Sequence, residues 1–188
     1  MAVRLAERVR DALARAPLPK PARGGSVRSV DPRNLHLTLK VLGDVEEARI
    51  PGLTEALRTA SRGVEPFEIE VAGLGVVPAR GAPRVVWAGV AGGEPLVRLH
   101  RRVEEACGSV GFERDERAYR PHVTLARVRG RVLGPALPDP TARELRRFGT
   151  SPVAGTTLFE SELRPDGARH AERAFLPCGG SDASSGEG

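Results

Sequence analysis

Two short stretches of this chain repeat the same chemistry: His36-Leu37-Thr38-Leu39 and His122-Val123-Thr124-Leu125. Each sets an imidazole and a hydroxyl two residues apart, with aliphatic residues in between. That is the period of a half-buried strand, in which residues i and i+2 share a face and their neighbours take the other. The fold must therefore hold two strands of equivalent construction, each showing His and Thr to one side and Leu or Val to the core. Chance pairing of two of the four histidines with a threonine two residues on is roughly one in ninety.

If two such strands lie side by side, two imidazoles and two hydroxyls converge. Hydroxyls can hold an anionic oxygen, and paired imidazoles can move protons to a leaving group and from an attacking one. The arrangement suits metal-free attack at phosphorus. Other chemistries find little support. There is no H-E-x-x-H, no His-x-His and no clustered carboxylate set, so no metal site is expected. Gly73-Leu74-Gly75 lacks the rest of a dinucleotide fingerprint, and no Walker A sequence occurs. No cofactor is expected. His100 lies at the edge of a helix's apolar stripe and His170 just past a hairpin turn, and both read as structural or solvent-facing.

Around the repeats, residues 2–16 read as an amphipathic helix, with Leu5, Val9, Ala12 and Leu13 on one stripe. A breaker-rich loop follows over residues 17–25, then extended segments at 26–30 and 35–42. Residues 46–62 read as a helix with Pro51 in its first turn. Strands are expected over 67–71 and 84–91. The spacing of Leu96, Leu99, Val103, Ala106, Cys107 and Val110 predicts a helix over 94–110. A strand over 121–128 carries the second repeat, and Asp139-Pro140 predicts a short helix through Arg147. Strands over 159–163 and 171–176 flank Pro165-Asp166-Gly167, a hairpin turn. Helices and hairpins together point to an α+β or mixed α/β fold.

The 188 residues suit one domain, or two small lobes sharing a cleft. No apolar run is long enough for a membrane span, and the N-terminus lacks the apolar core of a secretory signal. Cys107 and Cys178 are far apart, which argues against a disulfide framework. The cytoplasm is the expected compartment. The net charge of +5 favours an anionic partner such as nucleic acid. All but two of the 29 basic residues are Arg, however, and GC-rich codon usage explains that bias as well.

The sequences NLHLTLKVLG (34–43) and RPHVTLARV (120–128) resemble the paired H-x-T-x motifs of the 2H phosphoesterase superfamily. More closely, the chain is similar to the RNA 2′,3′-cyclic phosphodiesterases, also called the 2′-5′ RNA ligase family. The likeness runs from about Val27 to Leu176 and includes PRVVWAGV (83–90) and ESELRPDGARH (160–170). It implies a bilobal α+β fold, two pseudo-symmetric lobes of antiparallel sheet with outer helices around a central cleft. Residues 1–178 would form that one domain and 179–188 a flexible tail.

By the same resemblance, His36 is the proton donor to the leaving ribose oxygen and His122 the base that activates water. Thr38 and Thr124 bind phosphate oxygens, and Arg127 matches an arginine near the substrate. Strand parity, however, turns Arg127 away from His122 unless the strand bulges or ends. The implied reaction is metal-independent hydrolysis of RNA 2′,3′-cyclic phosphate ends to 2′-phosphates, by a monomer. Alternatives are 2′-5′ ligation at the same site, hydrolysis of a small cyclic phosphate such as one from ADP-ribose, and a non-catalytic RNA-binding module. Two departures stand out. The short first strand and its aromatic give way to an immediate helix, as if translation began too far downstream, and Ser29 stands where family members often carry an aromatic. Both put base stacking in question.

Overall fold

Every strand pairing among the described residues of the computed structural model is antiparallel, and the two repeats fall in different sheets. The structure describes residues 1–78, 81–133, 146–164 and 167–179. In chain order these are β1 (Ala2–Arg4), α1 (Glu7–Ala14), β2 (Lys20–Pro21), β3 (Ser26–Ser29), a 3-10 turn (Pro32–Asn34) and β4 (His36–Thr38). A second 3-10 turn (Glu47–Arg49) runs into α2 (Ile50–Arg62), followed by β5 (Phe67–Val77), β6 (Val85–Ala91) and α3 (Gly93–Ser109). The chain continues through β7 (His122–Arg129), β8 (Val132–Leu133), β9 (Arg147–Val153), β10 (Gly155–Arg164) and β11 (Gly167–Pro177).

One sheet has the order β11-β10-β1-β4 and the other β3-β7-β6-β5-β9, with β2 and β8 forming a small separate pair. One apolar core joins both sheets and the three helices. Val9 and Leu13 come from α1, Leu53 and Leu57 from α2, and Leu96, Leu99, Val103 and Cys107 from α3. Each leucine buried there contributes about 1.5–3 kcal/mol relative to exposure. Leu37 and Val123, the residues inside the two repeats, are both 0% exposed in this core. The aliphatic half of each motif thus anchors its strand.

The helices end on specific partners. Arg102 of α3 donates from Nε to the carbonyl of Ala60 (2.8 Å) and from Nη2 to that of Thr59 (3.2 Å), satisfying carbonyls in the last turn of α2. Gly63 makes room for that guanidinium, because a Cβ there would overlap it. At the start of α1, the Ala6 amide donates to Ser151 Oγ of β9 at 2.8 Å.

Several expectations need correction. Residues 2–16 are not one helix. Ala2–Arg4 form β1, with Val3 opposite Leu37 and Arg4 opposite His36, and the helix covers Glu7–Ala14. The first strand expected to be missing is therefore present. Met1, Ala2, Val3 and Leu5 are all buried, and the backbone of β1 is paired on both sides, by β10 and β4. The apolar spacing of Leu5, Val9 and Leu13 extends into this segment, but two waiting strand edges override helix periodicity.

The strand expected over 35–42 keeps its pairing only over His36–Thr38. Past it the alternation reverses: Lys40 is 7% exposed and Val41 80%. Strand β9 was not expected at all. Its Gly149 and Pro152 read as breakers, yet β9 is the outer strand of its sheet, where proline is tolerated. The short helix expected over 139–147 lies outside the described residues except at its end, where Arg147 already belongs to β9. The hairpin strands run longer than expected, with Arg164 opposite Gly167, and the turn expected at Pro165-Asp166 lies outside the described residues.

Candidate active site

Strands β4 and β7 pass within 8 Å of each other, Cα to Cα, so the fold brings the two repeats into one neighbourhood. Both histidines are held in the same way. His36 Nδ1 lies 2.7 Å from the carbonyl oxygen of Asn34, and His122 Nδ1 lies 2.8 Å from that of Arg120. A carbonyl only accepts, so Nδ1 carries the hydrogen in each ring and donates it. Nε2 is then the nitrogen left to give or take a proton, an assignment that the second ring nitrogen's partner settles.

Their environments differ. His36 is half-buried, with the His170 ring meeting it edge to face at 5.0 Å and the Phe159 ring at 5.8 Å. Burial pushes its pKa down to about 4, with the neighbouring His170 lowering it further and the Asn34 carbonyl opposing the shift. His36 is therefore neutral near pH 7 in the free protein. His122 is exposed, with the indole of Trp87 beside it at 6.2 Å. Thr38 and Thr124 are each partly buried.

The segment leading into the second repeat is tied to the strand of the first. Tyr119 Oη donates to the Thr38 carbonyl at 3.1 Å, and its ring stacks on His100 at 3.8 Å. Lys40 Nζ, buried, donates to Glu104 Oε2 of α3 at 2.7 Å and to the Glu113 carbonyl at 2.6 Å. The same Glu104 oxygen accepts the Asp115 amide at 3.2 Å. His100, Tyr119, Lys40 and Glu104 thus form a brace between the two motifs.

Arg127 does not face away from the site. Trp87 lies opposite Thr124, but the next residue of β6, Val86, lies opposite Ala126, which leaves Leu125 as an extra residue in β7. Leu125 and Ala126 are consecutive and both buried, so the alternation resets at this bulge. Beyond it Arg127 is exposed on the His122 and Thr124 face, between Val85 of β6 and Arg28 of β3.

Three residues near the histidines escaped the sequence reading: Trp87, Phe159 and His170. Trp87 rests against Gly75, where any Cβ would overlap its indole. His170, expected to be structural or solvent-facing, bonds through Nδ1 to Ser161 Oγ at 2.8 Å and lies against His36. Counting outward from the turn expected at Pro165-Asp166 matches Ser161 with His170, as the strand register does, so a signal for that contact existed. Its approach to His36 had none, because β10 and β1 both lie between the two strands in the sheet order.

Among the described residues there is no group of three or more His, Cys, Asp or Glu side chains placed to hold a metal. Both cysteines are buried and free, and burial pushes each thiol up to about 11. No described helix is long and apolar enough to cross a membrane.

The model of the 2′-5′ RNA ligase superfamily matches residues 4–164, most of the chain. The chain belongs to this superfamily. Among its relatives, a Methanothermobacter thermautotrophicus protein named RNA 2′,3′-cyclic phosphodiesterase is 39% identical over 172 residues, covering 89% of this chain and 91% of that one. A protein of the same name from Aeropyrum pernix is 37% identical, covering 84% and 82%. The solved structure of TT0787 from Thermus thermophilus superposes with a TM-score of 0.78 at 29% identity, over 96% of this chain and 97% of that one. Escherichia coli LigT in apo form shares the fold, with a TM-score of 0.71 at 22% identity over 95% of each chain. The α+β architecture of two antiparallel sheets with helices is thus the LigT-like fold that the superfamily motifs implied.

Proposed function

We propose that this superfamily member is an RNA 2′,3′-cyclic phosphodiesterase that opens the cyclic phosphate of an RNA end to a 2′-phosphate. The observation carrying this reading is the shared clamp on both motif histidines, which presents Nε2 of each as its proton-transfer atom. The names of the relatives support the substrate class. Water attacks phosphorus in line with the P–O3′ bond. His122 Nε2 takes the water proton, the P–O3′ bond breaks, and His36 Nε2–H delivers a proton to O3′. The products are a 2′-phosphate and a 3′-hydroxyl. Thr38 and Thr124 hydroxyls donate to the non-bridging oxygens as charge builds on them, and Arg127 adds a cation on the His122 side.

In the free protein His36 is neutral at pH 7, held near 4 by burial. A donor role therefore needs the substrate itself: a phosphate anion beside the ring favours its charged form, so the ring takes up a proton from solvent as the ligand binds. Residues 1–178 act as one two-lobed unit around this site, as a monomer, with no metal in the chemistry. Ligation is the same displacement with a ribose 5′-hydroxyl in place of water: it attacks phosphorus, O3′ leaves, and a 2′-5′ bond forms. The superfamily's name favours it as the second reading.

The test is hydrolysis of a 2′,3′-cyclic mononucleotide by wild type, His36→Ala and His122→Ala. Each variant should lose about 10²-fold or more in kcat, as general acid–base catalysis requires, and the product should be the 2′-phosphate. Full activity in either variant, or a 3′-phosphate product, rejects the mechanism.

A further inference from the structure

Beside His36 lies a cavity of about 180 Å³ between α1, the first 3-10 turn and the β11-β10-β1-β4 sheet. Its walls include Arg4, Arg10, Arg33, Phe159 and His170, with Glu172 at one side. Three guanidiniums, an imidazole and a benzene ring around one hollow make a nucleotide-like environment: cations for phosphate oxygens, aromatic faces for a base. Two of the cations are already paired. Arg4 Nη1 bonds Glu172 at 2.8 Å, and Arg33 Nη2 bonds Asp31 at 2.8 Å. Arg10 is different. Its Nε is buried and has no acceptor among the described residues. A buried guanidinium N–H is a strong donor, and leaving it unpaired is costly unless a ligand completes it.

The reaction geometry says which ligand. With the cyclic phosphate at His36, the ribose that carries it must sit against the same wall. That nucleoside's base and the phosphodiester on its 5′ side are then the groups nearest the hollow. We propose that this cavity is a subsite for the 5′-phosphodiester and base of the terminal nucleotide. Arg10 binds a phosphate oxygen while Phe159 and His170 face the base. The protein is thereby a reader of RNA ends rather than of cyclic mononucleotides. The proposal rests on the cyclic phosphodiesterase reading for its orientation, and it also supplies the aromatic surface that the N-terminal segment and Ser29 do not.

The experiment compares three substrates: a 2′,3′-cyclic nucleoside monophosphate, the same compound with a 5′-phosphate, and a dinucleotide ending in a 2′,3′-cyclic phosphate. Wild type should show kcat/KM about tenfold higher for the latter two, the scale of one charged hydrogen bond. In Arg10→Met that advantage should shrink to about threefold or less, chiefly through KM, with partial recovery in Arg10→Lys. Arg101→Gln, which removes an exposed charge on α3, should leave the ratio as it is.

Equal rates on all three substrates in wild type, or an equal fall on all three in Arg10→Met, overturns the subsite. A gain for the dinucleotide alone, with none from the 5′-phosphate, overturns the role of Arg10. If wild type turns over none of them, the phosphodiesterase reading fails instead. Calorimetric binding of nucleoside 2′-phosphates with and without a 5′-phosphate then decides the subsite by itself. Equal affinity overturns it.

Discussion

The hydroxyl of Tyr119 donates to the backbone carbonyl of Thr38, linking the residue three before the second motif histidine to the middle of the first motif. Burial pushes the Tyr119 pKa well up, so the phenol keeps the proton it donates. Tyr119→Phe removes this bond and leaves the carbonyl without that donor. We expect a loss of about 1 kcal/mol in stability, the usual net worth of such a bond. The His100 stack remains, so the variant should fold, with kcat falling more than KM rises. Urea unfolding and steady-state kinetics on a cyclic mononucleotide check both.

Acid sensitivity follows from His36. Its folded pKa is about 4 against an ordinary 6.5, so between those values the unfolded chain binds more protons than the folded one. Stability from this group is complete above about pH 6.5 and is lost as pH falls toward 4. The full effect is about 3 kcal/mol. His100 and His170, both lowered by burial, add in the same direction. The unfolding free energy should rise from pH 4 to 6.5, with a visibly shallower slope in His36→Ala. Identical slopes in the two proteins would contradict the burial.

The proton-donor role makes a separate demand. In NMR titrations the His36 imidazole should titrate near 4 in the free protein, and more than one unit higher with a nucleoside 2′-phosphate bound. If binding leaves it near 4, His36 is the base, and the roles assigned to the two histidines exchange.

Lys40 and Glu104 form a buried ion pair that also receives the Asp115 amide. Removing one partner strands the other charge, which costs about 3–5 kcal/mol. Lys40→Met should therefore destabilise far more than Arg33→Met, whose pair with Asp31 is exposed. Because the brace joins both motifs, kcat should also drop in Lys40→Met at temperatures where it remains folded. Thermal melts and rates below the transition measure the two effects.

Gly75→Ala places a methyl group where the Trp87 indole rests. The ring must tilt toward His122, its neighbour on the same face. We expect a higher KM for cyclic nucleotides with a smaller change in Tm, read by kinetics alongside Trp fluorescence. Turnover in the wild type should persist in excess EDTA, since the proposed acid, base and phosphate donors are all side chains. Loss on chelation, restored by a divalent ion, would redirect the mechanism.

The sequence by itself determined the parts of this protein that depend on neighbours along the chain. His36, Thr38, His122 and Thr124 stand out because strand periodicity is local, and α3 is legible because its apolar stripe is local too. The hairpin signal of Pro165-Asp166-Gly167 is local as well, and counting outward from it in sequence matches Ser161 with His170. What needed the tertiary structure were the positions where a distant partner overrules the local pattern. Ala2–Arg4 continue a helical stripe yet become a strand, because β10 and β4 offer edges on both sides. Lys40 should alternate outward with His36 and Thr38, but Glu104, 64 residues on, draws it inside and turns Val41 to solvent. Arg127 should face away from His122, but one extra residue at Leu125 returns it, and only the pairing with β6 reveals that residue as extra. His170 reads as a surface histidine until β1 carries the hairpin up to His36. Periodicity reports which face a residue would take in an undisturbed element; which elements are disturbed is decided by partners that the linear pattern does not contain.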